Sequence, residues 1–206
     1  SDVCSSDLHV VREVLGREIS GPFPRLSYEE AMLAYGSDSP DMRSDLTIRE
    51  VSDLAEGLEF RVFTGAVEAG GCVRGMRIPG GGQWSRKEIE SLEPIVTQQG
   101  AGGLAWFKLT DDGPAGPVSR FLDGEAGAEL IQRLEMQPGD LACFVADGQT
   151  RVVINSLGQL RKEVAQRLGH IDANELRFCW VEEFPLFDED EESGRRSEEH
   201  TSELQS

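Results

Sequence analysis

Apolar and polar positions along the chain alternate in some stretches and repeat with a helical period in others. The segment HVVREVLG (9–16) carries an apolar helical stripe and reads as the end of a longer helix. Ser27 is followed three residues later by Glu30, a capping box. The helix it starts, through Ala31, Met32, Leu33 and Ala34, stops at Gly36, which suits a left-handed C-cap. The next residues, SDSPDMR (37–43), cannot continue it, because Pro40 pushes Ser39 out of the helical region. From about Leu58 the pattern turns to alternation. LEFRVFTGAV (58–67) and CVRGMRIPG (72–80) read as two strands joined by a hairpin at Gly70-Gly71. Ser85 with Glu88 is a second capping box, opening a helix with Ile89, Leu92, Ile95 and Val96 on one face, kinked or broken at Pro94. LAWFKLT (104–110) is a third strand, PVSRFL (117–122) a short extended piece, and GAELIQRLEM (127–136) a helix. After the turn at Pro138-Gly139-Asp140 come a strand, LACFVADG (141–148), and a long amphipathic helix, RVVINSLGQLRKEVAQRLG (151–169). LRFCWVEEFPLF (176–187) is the final buried strand. This order predicts an α+β fold: a mainly antiparallel sheet with helices on one face.

Composition narrows the partners. The 206 residues have a formal charge of −18, of which the two ends contribute −4. The remaining −14 argues against nucleic-acid binding through bulk charge, though not against a local basic face. Apolar residues make up 38 % of the chain, and no run approaches the roughly 18 residues that a membrane helix needs. The opening SDVCSSDL (1–8) and the closing RSEEHTSELQS (196–206) resemble translated adapter sequence, which leaves 9–195 as the expected protein segment. Within it, Cys72, Cys143 and Cys179 lack any C-x-x-C spacing and are expected to be buried, reduced thiols of a cytoplasmic protein. His9 and His170 are the only histidines of that segment, so no metal site is expected.

Four places could carry chemistry. Pro79-Gly80-Gly81-Gly82 before a capped helix resembles a phosphate cradle, but no G-x-x-x-x-G-K-[ST] pattern follows and turn geometry accounts for it. Arg61 to Lys87 is locally basic, with Arg61, Arg74, Arg77, Arg86 and Lys87 against the single acid Glu68. A patch of Arg74, Arg77, Arg86 and Lys87 is the candidate phosphate-contacting surface, set against an ordinary solvated sheet face. Asp38, Asp41 and Arg43 form either a charged clamp or a turn with its own ion pair, and the turn reading is favoured. Glu182 and Glu183 on the last strand read either as a carboxylate site or, the favoured reading, as one side chain toward solvent and the other toward a missing neighbour. Trp84, Trp106 and Trp180 are too dispersed to stack bases, and no nucleophile–histidine arrangement is present.

Several blocks, in order, resemble bacterial-type aspartyl-tRNA synthetase: FPRLSYEEAMLAYGSDSPDMR (23–43), RIPGGGQWSRKEIE (77–90), GGLAWFKL (102–109), PVSRFL, GDLACFVADG (139–148), LGQLRKEVAQRLG (157–169) and WVEEFPLFDED (180–190). The resemblance spans almost all of 9–195. It makes residues 35–43 the family's Y-G-S-D-x-P-D-x-R segment, where the catalytic domain leads into an inserted domain, with Ser39 where a lysine is usual. It implies a class II ligase, a cytoplasmic homodimer that activates aspartate with ATP and Mg²⁺ and charges tRNA. It further implies a GAD insertion, a two-layer α/β sandwich over about 58–153, flanked by catalytic-domain pieces at 9–57 and 154–195. The family's motif 1, motif 2 arginine, H-H-P-F-T segment and motif 3 arginine have no counterpart here. No catalytic residue is therefore carried over, and the segment by itself is expected to be inactive. The alternatives are the GAD domain of a tRNA-dependent amidotransferase subunit and a stand-alone tRNA- or protein-contacting module.

Overall fold

The computed structural model describes residues 22–172 and 174–185, with short pieces at 9, 12–14, 16, 188–189 and 196–197. Most of both suspected adapter stretches lies outside the described residues. So does part of the first expected helix, of which 9 and 12–14 are helical.

Both capping boxes form. The Ser27 hydroxyl accepts from the Glu30 N–H and Glu30 accepts from the Ser27 N–H, starting α1 (Tyr28–Tyr35), which ends on Gly36 at φ 67°. Ser85 and Glu88 do the same for α4 (Arg86–Glu90). Pro94 then sits in the first turn of a separate helix, α5 (Glu93–Thr97), so of the kink or break expected there the break is what forms. Proline there lacks only an N–H that the first turn would leave unpaired.

Five strands make one antiparallel sheet: β2 (Ile48–Glu50), β3 (Cys72–Ile78), β4 (Ala105–Thr110), β5 (Gly113–Ala115) and β6 (Leu141–Asp147), in the order β2-β3-β6-β4-β5. The central pair runs in register from Cys72 opposite Asp147 to Ile78 opposite Leu141. One face presents Met76, Ile78, Cys143 and Val145 to α4, α5 and the long helix α7 (Thr150–Arg167), through Ile89, Leu92, Leu157, Leu160 and Val164. The other face presents Val73, Phe107, Ala142 and Phe144 to α2 (Ala55–Leu58), α3 (Arg61–Glu68) and α6 (Glu125–Arg133). Phe144 lies at its centre, 5.7 Å from the Phe63 ring and stacked 5.8 Å from Phe107.

The α+β class and the antiparallel sheet stand as expected. The expected single layer of helices does not, since helices cover both faces. Its cause is residues 58–67, expected as a strand. Phe63 and Ala66, three residues apart, point inward while Val62 and Val67 are exposed, which is helical spacing. Gly70-Gly71 is consequently a helix exit and not a hairpin, with the Gly71 N–H donating to Ala66 O. A Cβ at Gly71 would lie 1.9 Å from Asp147 O, so only glycine fits. PVSRFL is likewise a 3₁₀ turn (Ser119–Phe121) that buries Val118 and Leu122, not an extended piece.

The segments on either side of this sheet meet each other. β1 (Arg25–Ser27) pairs in parallel with β7 (Trp180–Glu182), forming a two-stranded sheet separate from the five-stranded one. The strand expected over 176–187 is thus three residues long and half-buried, shorter than the sequence suggests.

Candidate functional site

The loop after α1 is where the candidate residues are best organised. Asp41 and Arg43 form a two-pronged pair: Arg43 Nε donates to Oδ1 at 2.9 Å and Nη2 to Oδ2 at 2.7 Å. The Arg43 N–H adds a third bond to Asp41 Oδ1 at 3.0 Å, and the guanidinium holds the Asp41 carboxyl below its ordinary 3.8. Arg43 Nη1 also donates to Asp172 O. Asp38 is exposed at the tip and stands apart from this pair. The three residues do not converge on a common point. Asp41 and Arg43 satisfy each other, and the turn with its own ion pair is what forms.

The four cations expected as one patch are separated. Arg74 and Arg77, three apart on β3, lie on opposite faces of the sheet. Arg74 is 5 % exposed, donating to Glu50 at 2.6 Å and to Leu33 O at 2.8 Å. Leu33 is in the last turn of α1, whose carbonyls lack partners within the helix, so Arg74 caps α1 from the sheet. Arg77 Nε donates to Asp140 at 2.6 Å, and Asp140 is 4 % exposed. Arg86 pairs with Glu90 one helical turn away, and it and Lys87 are exposed. Arg74 is therefore a structural residue rather than a surface contact. Of the four, Arg86 and Lys87 are the exposed ones, and Arg86 is paired with Glu90.

The glycine loop is occupied by its own protein. Asp140 accepts from the Gly80 N–H at 3.1 Å and Gly139 O from the Gly82 N–H at 2.8 Å. Asp140 also accepts from the Gln137 N–H at 2.8 Å, so one buried carboxylate ties two turns and Arg77 together. A phosphate would have to displace these bonds, and the turn reading holds.

Residues 63–157 match the family model described as GAD domain. Over these residues the chain is similar to a GAD domain. The match runs from α3 through the first half of α7, taking in β3 to β6. Over 187 residues, the GAD match included, the chain is 46 % identical to the aspartate–tRNA(Asp/Asn) ligase of Desulfatibacillum aliphaticivorans, covering 90 % of this chain and 31 % of that protein. The aspartate–tRNA ligase of Macrococcus caseolyticus and the aspartate–tRNA(Asp/Asn) ligase of Bacillus subtilis are each 44 % identical over the same length and shares. The chain thus spans about 31 % of the length of these curated relatives.

A cleft of about 420 Å³ lies among the flanks, lined by Phe23, Tyr35, Met42, Arg177 and Phe178. A smaller one of about 310 Å³ collects Arg49, Arg77 and His170, but also Asp45 and Glu135, so its charge is mixed. Glu182 pairs with Arg25 across β1 and β7, while Glu183 is exposed at φ 61°, so the two glutamates do not act together. Cys72, Cys143 and Cys179 are free thiols, the first two buried and the third half-buried. Complete burial pushes the Cys143 thiol up to about 12. Among the described residues no group of three or more His, Cys, Asp and Glu could hold a metal ion, and no helix is long and apolar enough to cross a membrane.

Sequence reasoning missed Arg161. It is 2 % exposed on α7, donating from Nε to Leu46 O at 2.6 Å and from Nη2 to Asp41 O and Ser44 O at 2.8 Å each. Its guanidinium also lies over the Tyr35 ring, 4.8 Å from the centroid. A signal was present: a cation on the same stripe as Leu157, Leu160 and Val164 has no route to solvent.

Proposed function

We propose that this chain is part of an aspartate–tRNA ligase, with a GAD insertion over about 58–153 and catalytic-domain pieces at 9–57 and 154–195. The observation that carries this reading is that the 187 aligned residues extend past the GAD match on both sides at 46 % identity to such a ligase. The parallel pairing of β1 with β7 supports it. It brings the two flanks back together outside the five-stranded sheet, as an insertion into another domain requires. The complete ligase would form aspartyl-adenylate from ATP with Mg²⁺ and transfer aspartate to tRNA, as a cytoplasmic homodimer. Cations around the α-phosphate stabilise the charge that develops in that step. Arg43, Arg74 and Arg161 are engaged with protein acceptors, which supports reading this segment as scaffold. Of Arg74, Arg77, Arg86 and Lys87, this reading keeps the exposed Arg86 and Lys87 of α4 as the candidate tRNA phosphate contacts.

The test is aspartate-dependent exchange of pyrophosphate into ATP. The complete ligase containing this segment is expected to catalyse it and the 206-residue chain is not. Exchange by the short chain alone, or with another amino acid by the complete protein, overturns the reading.

A further inference from the structure

Arg161 is a buried cation with no carboxylate in direct contact among the described residues. Its recorded partners are three main-chain carbonyls, of Asp41, Ser44 and Leu46, and the face of Tyr35. Burial lowers its pKa, which marks the environment as one that disfavours the charge. Asp41, an acid that acts on it, engages its carboxylate with Arg43 and offers Arg161 only its carbonyl. If this position served packing alone, a leucine or methionine beside Leu157, Leu160 and Val164 would fill it without desolvating a charge.

What the guanidinium joins is specific. The chain passes between the flanks and the five-stranded sheet at two places. It enters along residues 41–47 before β2, and it returns through α7. Arg161 sits on the second and holds the first by three carbonyls. Two further contacts act on the same spot. Gly158, one turn earlier on α7, packs on the main chain of Gly36 so closely that a Cβ there would lie 2.3 Å from Gly36 O. Arg74, from β3, caps α1 at Leu33 O. Five backbone points between Leu33 and Leu46 are therefore tied to the sheet and its long helix. The tip at Asp38 and Ser39 stays exposed.

We infer that Arg161 is a positioning residue that locks both chain crossings together, so that the GAD domain and its flanks form one body instead of hinging at residues 36–47. The lock itself follows from these contacts. Its consequence for a ligase, an insertion carried as a rigid extension of the catalytic domain, rests on the reading proposed above.

Amide hydrogen exchange on the 206-residue chain tests it, with Arg161→Lys and Arg161→Met. Lysine keeps the charge but cannot span three carbonyls, and methionine keeps the volume. Both are expected to speed exchange at residues 41–47 at least tenfold while β3 and β6 keep their protection. In Arg161→Ala, millimolar ethylguanidinium is expected to restore protection at 41–47 where ethylammonium does not, a rescue that a packing defect would not show. Unchanged exchange at 41–47, equal acceleration across β3 and β6, or rescue by both amines alike would overturn the lock. Pyrophosphate exchange by the complete ligase is scored separately: its failure removes the consequence for a ligase and leaves the exchange result standing.

Discussion

The five-stranded sheet and the flanks around β1 and β7 are held by different forces. In the sheet, Phe63, Phe107, Phe144, Met76, Leu141 and Leu157 are fully buried on two faces, and burial of apolar area dominates, at roughly 1.5–3 kcal/mol for each such side chain. In the flanks, α1 buries only Ala31, β1 and β7 are at best half-buried, and Phe184 is 49 % exposed. There the order comes from main-chain acceptors gripped by Arg74, Arg161 and Arg177, and from the Arg25–Glu182 pair. A region without its own core can be rigid when donors from a well-packed neighbour satisfy its carbonyls. Such ties are directional and few, so losing one should loosen a segment instead of unfolding the domain.

The contrast is sharpest in the thiols. With Cys143 at about 12, on the order of one in ten thousand molecules carries its thiolate at pH 8. Iodoacetamide mapping at that pH is expected to label half-buried Cys179 in the folded chain and Cys143 only after unfolding. Equal labelling would break the comparison.

Next in size is the core itself. Phe144→Ala removes the ring between Phe63 and Phe107 and is expected to cost about 3–5 kcal/mol in urea unfolding. Gly158→Ala puts a methyl group against backbone at Gly36 and is expected to cost about 1–3 kcal/mol, with faster amide exchange concentrated between 28 and 47. Loss spread evenly over the sheet would contradict the division into two regions.

Acid provides a milder probe. Arg43 lowers the Asp41 pKa in the folded chain, so folding binds Asp41 more tightly in its ionised form. Its contribution is complete above the ordinary value of 3.8 and is lost as pH falls through the depressed one. Exchange protection at 41–46 should decline below pH 3.8, and Asp41→Asn should remove that dependence. The smallest effect belongs to Arg25→Ala, at no more than about 1 kcal/mol, because both partners of its ion pair are solvent-exposed.

Local chemistry made part of this fold legible. Two capping boxes, the left-handed glycine after α1, the alternation in 72–78 and the apolar run 141–147 each arise from near neighbours, and each forms. Residues 58–67 misled because Phe60 and Val62 alternate with polar residues as a strand would, while the helical pair Phe63 and Ala66 shows only against the sheet. That one misreading also hid the second helical layer. The basic run from Arg61 to Lys87 is compact in sequence but the strand pleat divides it, sending Arg74 and Arg77 to opposite faces. Arg161 was hidden for a different reason: its partners are carbonyls at 41, 44 and 46, and main-chain acceptors leave no mark on residue identity.

The central claim is that polar ties weld a coreless flank to a well-packed domain. Native-state hydrogen exchange under increasing urea measures it most directly. The account predicts that amides from 28 to 46 open together, as one unit, at a lower free energy than those of β3 and β6 yet far above unprotected chain. Amides at 41–46 exchanging as freely as an unfolded peptide, while α1 stays protected, would contradict it.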